Sequence, residues 1–306
     1  MIRYTDPPVA EMLCNTHDQI GESPLWSVAD RALWWVDIEG RRLHRCDWAD
    51  RRVRSWNLDE RVGCIALHRD GGLVAALESA IVHLIFDGDG HVASTPLVPA
   101  PWLGLRADMR FNDGRCDHAG RFWVTGMVRD VSLADPSGAL YRLDGRGLSP
   151  PLVDGLITGN GLGFDRERRT MYLSDSHPRV QKVWSFDVDD RGEPSRRRTF
   201  VDMAPLPGRP DGAAVDVEGG YWICANDAGL VHRFTPDGRL ERSIEVPVRK
   251  PSMCAFGGPR MDQMFVTSIR PADGSGGDPD LAGAVFLVRP GVAGRPETPF
   301  QPSRSR

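Results

Sequence analysis

Lysine is almost missing from this chain. Of its 38 basic residues only Lys182 and Lys250 are not arginine, and 42 acidic residues leave a net charge of −4 over 306 positions. A nucleic-acid or anionic-membrane partner selects for a basic excess, and there is none. The arginines are scattered, which fits overall composition better than a phosphate site. Long apolar runs are missing as well. Stretches such as Gly72 to Leu77 and Ala80 to Phe86 fall far short of the ~20 residues of a membrane-spanning helix. The opening Met-Ile-Arg-Tyr-Thr-Asp-Pro-Pro lacks the basic start and apolar run of a secretory signal, so a cytoplasmic location is expected.

Other absences narrow the chemistry. Cys14, Cys46, Cys64, Cys116, Cys224 and Cys254 include no Cys-x-x-Cys pair, so neither a zinc cage nor a dithiol redox motif is spelled out. They read as reduced and mostly buried. A Gly-x-Ser-x-Gly elbow is lacking, which weighs against a serine esterase. Gly159-Asn-Gly-Leu-Gly163 has the look of a nucleotide loop but no helical pattern follows it. Asp87-Gly-Asp-Gly90 opens like a calcium loop, yet its twelfth position is Val98 rather than Glu. It reads as a hairpin turn.

What is present is strand after strand. Helical periodicity is scarce, while short apolar or alternating runs bounded by Gly, Asp and Pro recur, as in Ala32 to Ile38, Phe122 to Met127 and Tyr221 to Ala225. Six segments align as one repeated strand, beginning at Arg42, Ile81, Ala139, Val183, Leu230 and Ala284. Aligning the strands before them puts Glu22, Cys64, Asn112, Asn160, Asp211 and Met253 at one position, 42 to 51 residues apart. Those are propeller-blade lengths. An all-β, six-bladed β-propeller is therefore expected as one domain over residues 1–306, with blades over about 10–289 and a tail over 290–306 whose final residues, from Gln301, look frayed. The segment Ala10 to Asn15 would close the ring as an added strand of the sixth blade. Trp34, Trp35, Trp123, Trp184 and Trp222 fall on strands and read as blade packing.

Four of the six equivalent residues carry oxygen donors: Glu22, Asn112, Asn160 and Asp211. Asn and Asp before turns often cap backbone, but four in register favour a hard-cation site in the central funnel, suited to Ca²⁺, Mg²⁺ or Mn²⁺. Around them stand Gly21-Glu-Ser-Pro-Leu-Trp26, Arg110-Phe-Asn-Asp-Gly114, Gly120-Arg-Phe-Trp-Val-Thr-Gly-Met127, Gly159-Asn-Gly-Leu162, Tyr172-Leu-Ser-Asp-Ser176, Pro210-Asp-Gly212 and Cys254-Ala-Phe-Gly-Gly258. This set closely resembles the SMP-30/gluconolactonase/luciferin-regenerating-enzyme family, in order and from about Gly21 to Arg289. The resemblance implies one divalent metal ion, with Ca²⁺ first and Mg²⁺, Mn²⁺ or Zn²⁺ as alternatives, held by Glu22, Asn160 and Asp211. It also implies that Arg110 and Asn112 contact substrate. Several relatives carry a Glu where this chain has Val128-Arg129-Asp130, and Asp130 is the expected substitute.

Lactone hydrolysis needs a polarised carbonyl, a positioned water and an acceptor for its proton. A metal supplies the first two, and Asp211 is the candidate general base. The expectation is a metal-dependent sugar lactonase, gluconolactonase-like, that opens an aldonolactone to its aldonic acid. Its partner would be the small sugar lactone alone, with no nucleic acid and no membrane, and the chain would be a monomer or weak homo-oligomer. The alternatives are a broader metal-dependent esterase or organophosphate hydrolase, and a non-catalytic calcium-binding regulatory propeller. His177, at a strand end, reads as a solvated turn histidine rather than a channel group.

Overall fold

A computed structural model describes residues 10–87, 91–104 and 106–302. They form six small antiparallel sheets, each laid down by consecutive strands. Strand β1 (Glu11–Asn15) comes before the first sheet, which holds β2 (Gly21–Ser27), β3 (Ala32–Asp37), β4 (Arg42–Asp47) and β5 (Val53–Asn57). The second holds β6 (Val62–Leu67), β7 (Leu73–Leu77), β8 (Ala80–Phe86) and β9 (Val92–Pro99). In the third, β10 (Met109–Cys116) and β11 (Phe122–Val128) lead to β12 (Gly138–Asp144), with which β13 (Gly147–Leu148) and β14 (Val153–Leu156) both pair. The fourth is β15 (Gly159–Asp165), β16 (Thr170–Asp175), β17 (Lys182–Val188) and β18 (Pro194–Asp202). The fifth is β19 (Arg209–Val215), β20 (Tyr221–Asn226), β21 (Leu230–Phe234) and β22 (Leu240–Glu245). The sixth joins β23 (Pro251–Gly257), β24 (Gln263–Ser268) and β25 (Ala284–Val288) to the distant β1.

The first strands of the sheets touch in a closed cycle, β2 with β6, β6 with β10, β10 with β15, β15 with β19, β19 with β23 and β23 with β2. This is a six-bladed β-propeller, closed as expected by the N-terminal strand, which pairs Glu11 with Leu287 and Asn15 with Ala284. A single blade cannot bury both its faces, so burial falls from the axis outward. Strands β15 and β23 are buried throughout, whereas β9, on an outer edge, is mostly exposed. The six strands aligned by sequence are the third members of the blades.

Tryptophans and aspartates tie the inner strands to their neighbours within the blades. Trp123 and Trp222 have no exposed surface, and each donates its indole N–H to the aspartate just past the inner strand of its blade, Asp117 at 2.9 Å and Asp216 at 2.8 Å. Asp216 also accepts from the backbone N–H groups of Glu218 and Gly220 and from Nε of buried Arg233. Trp35 is likewise sealed and Trp34 nearly so, while Trp184 is half-buried beneath the Arg197 guanidinium.

Two expectations change. The segment 290–302 is a strap across the ends of the inner strands opposite Glu22 and its equivalents. Gly294 N–H donates to Met261, Val217 N–H to Ala293, Phe300 N–H to Leu67 and Gln301 N–H to Gly120. The reason is Phe300, which is buried in the cluster that holds Phe111 and Phe122. His177, read as solvated, is buried too. The turn read at Asp87–Gly90 joins β8 to β9, which are paired from Ala80↔Pro99 to Phe86↔Val92. Its residues 88–90, and the last residues 303–306, lie outside the described residues.

Arg233 also pairs with Glu218 and Glu241, so removing the Asp216 carboxylate chiefly leaves the Trp222 N–H and the backbone N–H groups of Glu218 and Gly220 without their acceptor. Each buried donor left unsatisfied costs about 1–3 kcal/mol. Asp216→Ala is therefore expected to lower the unfolding free energy by about 3 kcal/mol, read as a fall in the denaturant midpoint.

Candidate active site

Each inner strand carries a β-bulge close to its start. Pairing slips between Glu22 and Leu25, Val62 and Cys64, Phe111 and Gly114, Asn160 and Gly163, Pro210 and Ala213, and Pro251 and Cys254. A bulge bends a strand and re-aims its side chains, so one irregularity repeated six times gathers one residue per blade. The gathered residues are on the inner strands themselves. At β15 the bulge needs glycine: Gly161 has φ +61°, and a Cβ there would lie 2.5 Å from Ser174 Oγ and 2.7 Å from the Tyr221 hydroxyl.

Asn160 and Asp211 are hydrogen-bonded to each other, and Glu22 is coupled to Asp211 through charge. Asn160 Nδ2 donates to Asp211 Oδ1 at 2.6 Å and to Ser176 Oγ at 3.0 Å. Asn226 Nδ2 donates to the other oxygen, Oδ2, at 2.7 Å. Both carboxylate oxygens are thus oriented by amides. Ser176 Oγ in turn donates to Pro210 O at 2.5 Å. Burial, then the Asp211 and Asp113 carboxylates, push the Glu22 carboxyl well above its ordinary range, against the pull of Arg110. Burial likewise pushes Asp211 up to about 7, although the Asn226 hydrogen bond and Arg209 oppose it. Two ionisable acids held so close favour a shared cation.

Arg110 and Asn112 form a second unit beside them. Arg110 Nη1 donates to Asn112 Oδ1 at 2.7 Å and to Phe111 O at 2.9 Å, while Asn112 Nδ2 donates across to Gly159 O in the next blade at 2.9 Å. With its oxygen already on a guanidinium, Asn112 is distinguished from Asn160, whose amide oxygen accepts no hydrogen bond among the described residues. Asp130 is not brought to this unit. It is exposed and caps a single 3₁₀ turn, Val131–Leu133, where its Oδ1 accepts from Ser132 N–H at 3.0 Å and from the Ser132 hydroxyl at 2.6 Å.

Three members of the site escaped the sequence reading. Asn226 closes β20, so it lies on a neighbouring strand and outside the repeated position. Ser176 follows the end of β16. Asp113 is the neighbour of Asn112 and caps Leu162 N–H at 2.8 Å through Oδ2, with Oδ1 buried and unpartnered. The usable signal was the Asp or Asn ending three of the six second strands, Asp37, Asp175 and Asn226, which pairs with the first residue of its inner strand.

The donor set suits a hard divalent cation. It combines two acids above their ordinary range, an Asn160 oxygen without a hydrogen-bond donor and a buried, unpartnered Asn226 Oδ1. Among the described residues no three His, Cys, Asp or Glu side chains converge on a metal position, so any ion here draws on amide oxygen and water as well as carboxylate.

Residues 20–270 match the model of the SMP-30/Gluconolactonase/LRE-like region. The chain belongs to this family. It is 36% identical over 286 residues to the 6-deoxy-6-sulfogluconolactonase of Pseudomonas putida, covering 92% of this chain and 94% of that protein. It is 33% identical over 290 residues to the pentonolactonase XacC of Haloferax volcanii, covering 92% and 95%. Among solved structures, the calcium-binding protein regucalcin from Agrobacterium tumefaciens superposes with a TM-score of 0.85 at 25% identity, over 96% of this chain and 98% of that one. No helix among the described residues is long and apolar enough to cross a membrane.

The raised acids link stability to pH and to metal. A carboxyl whose folded pKa exceeds its unfolded value stabilises the fold while protonated, and that contribution fades as pH rises through the window between them, for Asp211 from 3.8 to about 7. Chelator-treated protein should therefore lose thermal stability between pH 5 and pH 8. Millimolar Ca²⁺ at pH 8 should restore several degrees of Tm, and Asp211→Asn should abolish most of that gain.

Proposed function

We propose that this protein is a metal-dependent sugar lactonase that opens an aldonolactone to the aldonic acid. The observation that carries the proposal is the Asp211 carboxylate, held at both oxygens by Asn160 and Asn226 next to Glu22 and the Arg110–Asn112 unit. The lactonase names of its family relatives support it. Glu22, Asn160 and Asp211 would hold the ion, with Ca²⁺ the first choice because the oxygen donors are hard and a structural relative is a calcium-binding protein. A cation held there would supply Lewis-acid polarisation of the lactone carbonyl and lower the pKa of water.

The chain's own residues do the rest. Asp211 accepts the proton of the attacking water and returns it to the ring oxygen as the C1–O bond of the tetrahedral intermediate breaks. Arg110 is anchored through Nη1 on Asn112 and Phe111, which leaves its remaining N–H groups to donate to sugar hydroxyls. Asn112 fixes that guanidinium and ties it to Gly159 of the next blade, so the reacting geometry rests on two blades rather than on one mobile side chain. Asp130 would assist from the rim if its loop folds in over substrate. In the cell we place the protein in the cytoplasm, as a monomer or weak homo-oligomer acting on the free lactone.

Acid release from glucono-, galactono-, arabinono- and xylonolactone, followed with a pH indicator, should be fast for at least one of them and lost on chelation. Absence of chelator-sensitive hydrolysis across that panel would leave the calcium-binding regulatory reading in its place. Asp211→Ala should lower kcat by at least 10³-fold, as expected when a general base is removed from a site it also helps to order. Arg110→Lys should act chiefly on KM.

A further inference from the structure

One of the chain's two lysines, Lys250, immediately precedes β23, at the end of the ring where the inner strands begin and the candidate cation site is gathered. Its ammonium pairs with Asp227, whose other carboxylate oxygen accepts from Arg209 Nε at 2.6 Å. Arg249 Nε donates to the backbone O of the same residue at 3.4 Å. Asp273, exposed on the loop after β24, also feels the Lys250 charge. Three cations thus meet two acids, and the surplus is positive. Arg209 and Lys250 keep only 28% and 16% of their side chains exposed, so the surplus charge is partly desolvated, which is costly until an anion joins it.

The pair stands beside the candidate catalytic groups. Arg209 begins β19, two positions before Asp211, and its backbone pairs with that of Asn226, the amide that holds Asp211 Oδ2. Its Nη1 reaches the backbone O of Ser176 at 3.4 Å, and the Ser176 hydroxyl receives Asn160 Nδ2. The guanidinium therefore lies between the fourth and fifth blades, and its Nη2 has no partner among the described residues. Lys250 retains two further N–H groups beyond the one on Asp227. Arg110 and Asn112 are on the third blade, so Asn160 and Asp211 are bracketed by sugar-facing donors on one side and by surplus positive charge on the other.

We propose that Arg209 and Lys250 are a specificity pair for a lactone that carries a fixed negative charge, a phosphate or a carboxylate, at the end of the sugar remote from the reacting carbonyl. This inference rests on the lactonase reading above. The anion accepts from Arg209 Nη2 and Lys250 Nζ, a planar fork and a compact point charge, while Asp227 keeps both its bonds. A neutral sugar leaves the surplus charge uncompensated, so discrimination appears chiefly in KM.

The calcium-loaded full chain should open gluconolactone carrying a phosphate on C6, or the monolactone of glucaric acid, with kcat/KM at least about 10-fold above that for gluconolactone. A gain for the phosphate alone or the carboxylate alone supports the pair and tells which anion it takes. High salt should narrow the ratio. Lys250→Gln should lower it by about 10-fold, and Lys250→Arg should restore most of it. Should no lactone of either kind be hydrolysed, the lactonase reading fails by itself, and calorimetry on the ring-opened acids decides the pair: 6-phosphogluconate binding about 10-fold more tightly than gluconate supports it. Equal affinities there, a kcat/KM for both anionic lactones no higher than for gluconolactone, or a ratio unchanged in Lys250→Gln would each overturn the proposal.

Discussion

Six inner strands converge on one axis, and each must satisfy its polar groups against the next blade. The structure meets this by passing side chains forward around the ring. Ser23 accepts from Ile65 N–H, Asn112 donates to Gly159 O, Asp113 accepts from Leu162 N–H, and Asn160 donates to Asp211. Ser252 returns the series to the start by donating to Gly21 O. Groups that would be costly to bury alone are thus paired between blades. The same contacts that hold neighbouring blades in register also set the positions of the candidate catalytic groups.

That economy leaves a residue of strain in the electrostatics. Glu22, Asp113 and Asp211 are three acids near one axis, each raised by burial, and Arg110 is the buried cation facing Glu22 most directly. A site that is electrostatically uncomfortable without a ligand is common where chemistry is done. Here the discomfort has a sign that calls for positive charge, and the bonds of Asn160 and Asn226 to Asp211 keep its carboxylate from relaxing away. The opposite end of the channel is treated differently. There the strap that carries Phe300 covers the inner-strand ends with apolar contact and backbone hydrogen bonds.

The blade count and the gathered positions were legible in the sequence because each is written six times, and repetition averages out local ambiguity; the closing strand followed because the last unit ends near Phe286 to Arg289, one strand short. Glu22, Asn160 and Asp211 stand out in register for that reason. Asn226 and Ser176 did not, since their role comes from pairing with an inner strand rather than from a repeated position of their own. The strap was read as a tail because one isolated aromatic, Phe300, carries no periodic signal; its burial depends on a gap built by distant strands. His177 was misjudged on a local rule, that turn histidines are solvated, which the packing of its loop overrides. Asp130 shows the limit of analogy between short loops: the residue type is right for the task, yet its hydrogen bonds turn it back on its own 3₁₀ turn.

The central claim is that the bulged inner strands assemble one cation site from Glu22, Asn160 and Asp211. Anomalous diffraction from crystals grown with Mn²⁺ tests it most directly. One strong peak is expected per chain, bonded to a carboxylate oxygen of Glu22, the amide oxygen of Asn160 and a carboxylate oxygen of Asp211. A peak elsewhere on the molecule, or none at saturating Mn²⁺, would contradict it.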